Sequence, residues 1–215
     1  MEERASLAPD ELLGLSVAVG VCAQAFLNEP SDKIVERLAC VAHAYGSDAF
    51  DGIAVDDALR QRYYDRLFVP TSSLYVPLFE SSVRGAIEED GRFRYASTKG
   101  PQADHVLGCY RAIGFDYRLL EGFGPAVAAL RPDALAAELA FSAFLARESA
   151  EMACEDPDAS RRSAQLLDQF SSEHVGAWVG KAARCLFLGA DDLYARTAKL
   201  ACDAIASAGA VRLDL

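Results

Sequence analysis

Basic side chains are in the minority in this sequence. Its 215 residues include 21 Lys and Arg against 32 Asp and Glu, which gives a formal net charge of −11. Nucleic-acid binding needs a basic footprint, and anionic membrane surfaces also attract clusters of Lys and Arg. The charge balance therefore predicts neither a nucleic-acid partner nor stable membrane insertion, whereas a cationic partner would be attracted.

The motifs of common enzyme classes are also missing. The chain has no G-x-S-x-G nucleophile elbow, no Walker A loop and no G-x-G-x-x-G fingerprint, and it has only three histidines. Asp104 and His105 form an adjacent acid–histidine pair, but neighbouring residues of a helix point to different faces. We therefore predict a protein that is not an enzyme and has no cofactor.

No pair among the six cysteines has the C-x-x-C spacing of a redox or zinc motif. Cys40 and His43 have the ligand spacing C-x-x-H, but no second pair completes a zinc site around them. The prediction is a cytoplasmic protein with reduced, mostly buried thiols and no bound metal.

The apolar run from Leu12 to Leu27 does not have the flanks of an export signal. The residues before it carry four acidic side chains and one arginine, whereas a signal peptide begins with positive charge. The run is also shorter than the roughly 18 residues that a membrane span requires. It is predicted to be a buried first helix of a chain that stays in the cytoplasm.

Helical periodicity runs through most of the chain, and strand-like alternation is nearly absent. The segment 92–101 is polar and is predicted to be a loop. Capping residues, glycines and prolines predict helices at about 10–26, 32–45 and 55–68, after Leu78 as far as Gly91, at 104–113, from Pro132 onwards, and at 157–170, 173–188 and 191–208.

These elements predict an all-α fold, a single domain of about eight to ten helices spanning residues 1–215. The Gly/Pro-rich segment 114–130 is predicted to be a flexible connector between an N-terminal part, 1–113, and a C-terminal part, 131–215. Such a connector is compatible with a monomer and with a domain-swapped dimer.

One apolar helix has a sharply marked start. Pro132 suits the first turn of a helix, and Asp133 complements the positive end of the helix dipole. Glu138 shares a face with Phe141 and Leu145, so that a carboxylate lies along an apolar stripe. The plain alternative is a glutamate that turns its carboxylate out to water.

This order of proline–aspartate, glutamate–leucine, phenylalanine and leucine resembles the signature helix of the TorD/DmsD chaperones. Those chaperones mature molybdenum-containing oxidoreductases that are exported by the twin-arginine route. The resemblance implies a TorD/DmsD-like helical fold and a client protein as partner. The chain departs from the family at Ala134, where a histidine usually follows the proline–aspartate pair.

A second region joins an aromatic helix end to a proline-bracketed loop. The segments Tyr63–Pro70 and Val76–Ser81 are similar to the family's tyrosine…leucine–phenylalanine–x–proline and proline–x–x–glutamate–serine elements, which are linked to client binding. Rigid apolar side chains around such a loop can line a groove for a peptide. Alternatively, they form a cluster that closes the loop onto the core. The chain departs from the family at Val69, where a glycine is common. A second proline or an aromatic residue is common in the family at the positions of Leu78 and Phe79, and only part of that pattern is present here.

A third region resembles the family's phenylalanine–x–x–x–histidine…tryptophan element. His174 and Trp178 are four residues apart, so we expect them to stack on one helix face, where their predicted role is structural support. The three elements occur in the family's order over roughly residues 57–206.

The resemblance implies a chaperone for the catalytic subunit of a molybdopterin oxidoreductase, which binds the twin-arginine signal peptide, the client's body or both until the cofactor is inserted. An apolar groove bordered by carboxylates would complement such a leader. The predicted peptide-binding residues are Tyr64, Leu67, Phe68, Pro70, Pro77, Phe79, Glu80, Pro132, Asp133 and Glu138.

Two alternatives remain open at the level of the sequence. The first is a NarJ-like assembly chaperone, which acts on a molybdoenzyme that is not exported. The second is a helical ligand-binding or regulatory domain with a closed small-molecule pocket, in which the acidic, apolar composition is incidental.

Overall fold

The computed structural model of the chain describes residues 7–209, which form ten α-helices, a short 3-10 turn and one two-stranded hairpin. The helices are α1 (Pro9–Leu27), α2 (Asp32–Ala44), α3 (Asp57–Leu67), α4 (Glu80–Val83), α5 (Pro101–Ala112), α6 (Gly124–Ala128), α7 (Leu135–Met152), α8 (Pro157–Glu173), α9 (Val175–Gly189) and α10 (Leu193–Ser207). The strands are β1 (Ile87–Glu89) and β2 (Arg92–Arg94), and the 3-10 turn is Tyr117–Leu119. The predicted all-α class is confirmed, while the division into two parts stays a prediction.

Side-chain caps fix the starts of several helices. The side chains of Ser31, Asp56, Asp156 and Asp192 each accept a backbone N–H from the following first turn. Such caps satisfy donors that have no partner within the helix. After α2 the chain turns at Gly46, whose φ of +73° is easily adopted only by glycine. Local capping therefore accounts for most of the predicted boundaries.

The centre of the molecule is α1, which packs against α2, α7 and α10. Close approach to α7 is helped by small residues, and Ser16 Oγ donates a hydrogen bond to the carbonyl of Ala143 at 2.8 Å. Within residues 7–209, α1 is the one helix long and apolar enough to cross a membrane, but 61% of its apolar window is buried inside the protein. The helix has 19 residues because it begins three residues before the apolar run Leu12–Leu27. The prediction of a buried first helix is confirmed.

The segment after Leu78 differs from the predicted long helix. α4 has only four residues, and an antiparallel hairpin follows it, with Glu89 opposite Arg92. Asp90 and Gly91 both have positive φ, 50° and 71°, as a tight hairpin turn requires. Gly91 therefore forms a hairpin turn rather than a helix end, and part of the predicted loop at 92–101 is a strand.

The start of α7 also differs from the prediction. The helix begins at Leu135, and Ala134 before it is extended, with φ −78° and ψ 140°. Ala134 is extended because it pairs with Phe79 in an isolated antiparallel bridge. Pro132 and Asp133 therefore precede the helix, and the prediction that Pro132 lies in the first turn was wrong.

The predicted connector at 114–130 contains the 3-10 turn and α6. It is attached to the end of α1, because the N–H of Phe123 donates to the carbonyl of Leu27 at 2.9 Å. Gly122 lies so close to that carbonyl that a Cβ atom there would be 2.8 Å from its oxygen. The flexibility of the connector stays a prediction.

Candidate functional site

An open apolar groove lies where the end of α1, the end of α3, α6 and the start of α7 meet the loop between α3 and α4. Every residue that lines it is aliphatic or aromatic, so a ligand would meet almost no hydrogen-bonding groups from side chains. The lining residues are Phe26, Leu27, Leu67, Phe68, Tyr75, Val76, Leu78, Phe79, Ala126, Ala129, Leu130, Ala134, Leu135 and Ala136. We call this surface the groove.

An aromatic cluster supports one end of the groove. The rings of Tyr63, Tyr64, Phe68 and Phe123 contact one another with centroids 5.3–6.3 Å apart. Tyr64 also donates its hydroxyl to Glu29 Oε1 at 2.5 Å. Edge-to-face and tilted contacts of this kind hold the rings in place. Phe68 is thus presented to the groove by a rigid support.

Three predicted binding residues of the groove are brought together: Leu67, Phe68 and Phe79. Tyr64 lies beside them in the aromatic cluster. Pro70 is exposed, and Pro77 is buried; neither is among the lining residues. The loop therefore contributes to the groove through its apolar side chains more than through its prolines.

The predicted carboxylates do not border the groove at the surface. Glu80, Asp133 and Glu138 are all fully buried, so the expected acidic rim is wrong as a description of their position. Asp133 accepts hydrogen bonds from the N–H and the hydroxyl of Ser81 and forms an ion pair with Arg131 at 3.2 Å. These contacts fix the turn before α7 against α4. Whether the carboxylates take part in client binding stays a prediction.

Glu80 and Glu138 belong to a buried polar network. Glu138 Oε2 accepts the indole N–H of Trp178 at 2.8 Å, and Glu80 accepts from Arg84 at 2.6 Å. Burial, and then the negative charge of Glu80, raise the pKa of Glu138 well above its usual range. Both causes favour the protonated form of Glu138, which lets two carboxyl groups share a dry interior.

His174 occupies the junction between α8 and α9. Its backbone, with φ −120° and ψ −105°, ends one helix and precedes the next, so it does not share a helix face with Trp178 as predicted. Its Nδ1 lies 2.7 Å from Glu80 Oε2, and its Nε2 lies 2.7 Å from His105 Nδ1. His174 and Trp178 thus reach two different carboxyl groups. We call Glu80, Glu138, His105, His174 and Trp178 the buried network, although His105 itself is exposed.

One cluster within residues 7–209 has side chains placed to hold a metal ion. The ligand atoms of His105, Cys109 and His174 all lie within 4.8 Å of one another. The C-x-x-H pair singled out in the sequence is not part of it, because Cys40 is exposed and His43 pairs with Asp51 at 2.9 Å. Beyond the four-residue spacing of His105 and Cys109, no sequence pattern indicates this cluster.

The family model described as nitrate reductase delta subunit matches residues 53–184, more than half of the chain. The chain belongs to this family. Its members are chaperones that assemble molybdoenzymes and act in enzyme maturation rather than catalysis. The match supports the NarJ/TorD-like chaperone family as a whole and does not single out the TorD/DmsD subtype. No curated protein and no solved structure is significantly similar to the chain.

The matched span contains most of the groove and the whole buried network. The wall contributed by α1, with Phe26 and Leu27, lies outside it. These two residues were not among the predicted binding residues, and neither were the connector residues Ala126, Ala129 and Leu130. Their apolar character is visible in the sequence, but no local pattern shows that they face the segment 67–79.

Proposed function

We propose that this chaperone binds the catalytic subunit of a molybdopterin oxidoreductase through an apolar client segment that lies in the groove. The observation that carries this proposal is the groove itself, whose lining is entirely aliphatic and aromatic. An extended or helical peptide with alternating apolar side chains is the ligand that such a surface fits. The twin-arginine leader, an apolar stretch preceded by a basic motif, is the client segment that we favour.

The energetics of such a complex favour moderate affinity. Each apolar side chain fully buried contributes about 1.5–3 kcal/mol. Ordering a flexible leader opposes this gain, and association itself costs several kcal/mol. Two or three anchored side chains would supply at most about 9 kcal/mol before these costs, so a Kd on the order of micromolar, about −8 kcal/mol, requires the leader to bury several more apolar side chains along the groove.

The basic motif needs exposed carboxylates, and two acidic residues flank one end of the groove. Glu29 is half-buried and bonds to Tyr64, and the exposed Glu121 precedes the glycine that packs against Leu27. The wall at Phe79 carries a cation instead, because Arg131 stacks over the ring of Phe79 with 4.8 Å from its guanidinium carbon to the ring centroid. We infer that the arginine pair binds at the Glu29 end, which sets the direction of the peptide.

The experiment is calorimetric titration of the full chain with twin-arginine leaders of molybdoenzymes. We expect saturable micromolar binding of one leader and a loss of about 10- to 100-fold in affinity for Phe79→Ala, the equivalent of 1.4–2.7 kcal/mol. Leu119→Ala is the matched control, because Leu119 is 79% exposed and lies outside the groove. Equal losses in both variants, or no binding by any leader, would exclude leader recognition in the groove.

A NarJ-like function on a client that is not exported is the second candidate. The family match supports it equally, and the apolar lining gives no preference for a basic motif. In this case the groove binds an apolar segment at the client's own N-terminus. Replacing the arginine pair of the leader by alanine separates the two functions: affinity falls for a leader-specific chaperone and stays the same for a NarJ-like one.

A further inference from the structure

The closest approach between α5 and the α8–α9 junction is made by ligand-type side chains. His105 and Cys109 are one helical turn apart on α5, so both side chains lie on the face that meets His174. The ring centroids of His105 and His174 are 4.8 Å apart, and the nearest ring nitrogens are 2.7 Å apart. Two imidazole nitrogens and one thiol therefore converge on a single point between the helices.

The spacing of the two ring nitrogens is close to that of a tetrahedral metal centre, whereas Cys109 Sγ, within 4.8 Å of both, would have to move closer. Zinc–nitrogen bonds of about 2.0–2.1 Å at tetrahedral angles place two ligating nitrogens roughly 3.3 Å apart. The nitrogens of His105 and His174 would have to separate by roughly 0.6 Å to reach that value. His105 is exposed at the surface of α5, so a small rotation of its side chain is sufficient. The exposed side also leaves room for a water molecule as a fourth ligand.

The nitrogen of His174 that faces the cluster is prepared for metal binding by its other nitrogen. Nδ1 lies 2.7 Å from Glu80 Oε2, and a carboxylate at that distance favours the tautomer with the proton on Nδ1. In this tautomer the lone pair of Nε2 is directed at His105 and Cys109. A carboxylate that orients a ligating histidine through its second nitrogen is a recurrent arrangement in zinc sites. Arg84 holds the other oxygen of Glu80 at 2.6 Å, so the orienting group is itself fixed.

We propose that His105 Nδ1, Cys109 Sγ and His174 Nε2 form a binding site for a divalent transition-metal cation with the ligand preferences of zinc, with water as the fourth ligand. Thiolate and imidazole suit Zn²⁺ and exclude magnesium and calcium, which require oxygen ligands. On binding, the Cys109 thiol loses its proton to solvent, and the proton that His105 Nδ1 shares with His174 moves through solvent to His105 Nε2. The sulfur–metal bond and the two nitrogen–metal bonds then form. Glu80 is the positioning residue of the site.

The position of the site gives it a structural consequence. The cation would link α5 to the junction of α8 and α9. His174 contacts Glu80, and Glu80 is next to Phe79 in the sequence, so the site would also be linked to the groove. Without a cation, the two histidines form an ordinary hydrogen bond, with one ring donating to the other. In that hydrogen-bonded arrangement Cys109 has no role, whereas in the proposed metal site its sulfur is a ligand.

The test is titration of the reduced, metal-free full chain with Co²⁺, followed by competition with Zn²⁺. We expect one ion per chain, the visible d–d absorption of a tetrahedral centre and a near-ultraviolet thiolate-to-cobalt charge-transfer band. Cys109→Ser abolishes the charge-transfer band, and His105→Ala weakens binding at least about 10-fold. Both sites lie towards the surface of α5, and circular dichroism checks that the variants are folded.

Cys40→Ser is the matched control, since Cys40 is exposed and belongs to the C-x-x-H pair with His43. It leaves the spectrum unchanged if the proposal holds. A chain that develops no tetrahedral spectrum overturns the proposal, as does a spectrum that survives Cys109→Ser and disappears in Cys40→Ser. Glu80→Gln tests the positioning role: the tetrahedral spectrum persists, while affinity falls about 10- to 100-fold.

Discussion

Phe79 and Glu80 are neighbours in the sequence, yet they belong to regions of opposite chemistry. Phe79 is half-buried in the groove, where the other lining side chains are equally apolar and interchangeable in kind. Glu80 is fully buried, and each of its oxygens has a defined partner, Arg84 or His174. Apolar surfaces adapt to many ligands, whereas buried polar groups require particular partners at particular distances. The fold thus presents an adaptable surface on a rigid polar support.

The largest difference in stability is expected between variants in which Glu80 or Phe79 is replaced singly. Glu80→Ala leaves the ring nitrogen of His174 without its acceptor in the interior, so we expect a loss of roughly 3 kcal/mol in the free energy of unfolding. Phe79→Ala should cost about 1 kcal/mol, because the ring is only half-buried. Urea unfolding of both variants measures the difference. Equal losses would mean that the groove and the network are not distinct in their contribution to stability.

A change of pH gives the next effect, through Glu138. The pKa of Glu138 is raised in the folded protein by burial, by Glu80 and by Asp133, while Trp178 opposes the shift. The folded state therefore keeps a proton that the unfolded state releases above about pH 4.5. The contribution of Glu138 to the free energy of unfolding is fully present below that pH. It falls by about 1.4 kcal/mol per pH unit as the pH rises towards the pKa of Glu138 in the folded protein.

Glu138→Gln removes that titration while its amide oxygen can still accept the indole N–H of Trp178. We expect the variant to gain stability relative to the original chain as the pH rises above about 4.5, with a slope of up to one proton. Urea unfolding at several pH values gives this slope. Parallel curves for the two chains would show that the pKa of Glu138 is the same in the folded and unfolded states.

The sequence predicted those parts of the fold that depend on local chemistry. Caps such as Ser31 and Asp156 marked their helices correctly because a cap bonds within its own first turn. The turn at Asp133 was misplaced because its backbone pairs with residue 80, more than fifty positions earlier, and this pairing overrides the local helix preference. The hairpin at Gly91 was missed because glycine serves both as a helix end and as a turn residue.

The candidate site likewise has one part that depends on local sequence and another that depends on long-range contacts. Leu67 and Phe68 were predicted as groove residues because they lie within one short element, and the structure places them in the groove. Their partners on α1 and α6 are distant in the sequence, so no periodicity connects them. The burial of Glu138 depends on Trp178, forty positions away, and the cluster of His105 and His174 spans 69 positions. Long-range packing decides these contacts.

The smallest predicted effect concerns the charge at the Glu29 end of the groove. Exposed ion pairs contribute up to about 1 kcal/mol and are screened by salt. Glu121→Gln should therefore weaken binding of a twin-arginine leader by a factor of roughly two to five at low ionic strength, and the difference should shrink at high salt. Titration at two salt concentrations measures both values.

Glu155→Gln is the control for this charge effect, because Glu155 is exposed at the opposite end of α7 from the groove. If both variants weaken binding equally, the net charge of −11 attracts the leader without a local contact. If only Glu121→Gln does so, the arginine pair binds at this end, and the groove has a direction. Because Phe79→Ala removes apolar contact whatever the salt, the salt dependence separates the polar end of the groove from its apolar wall.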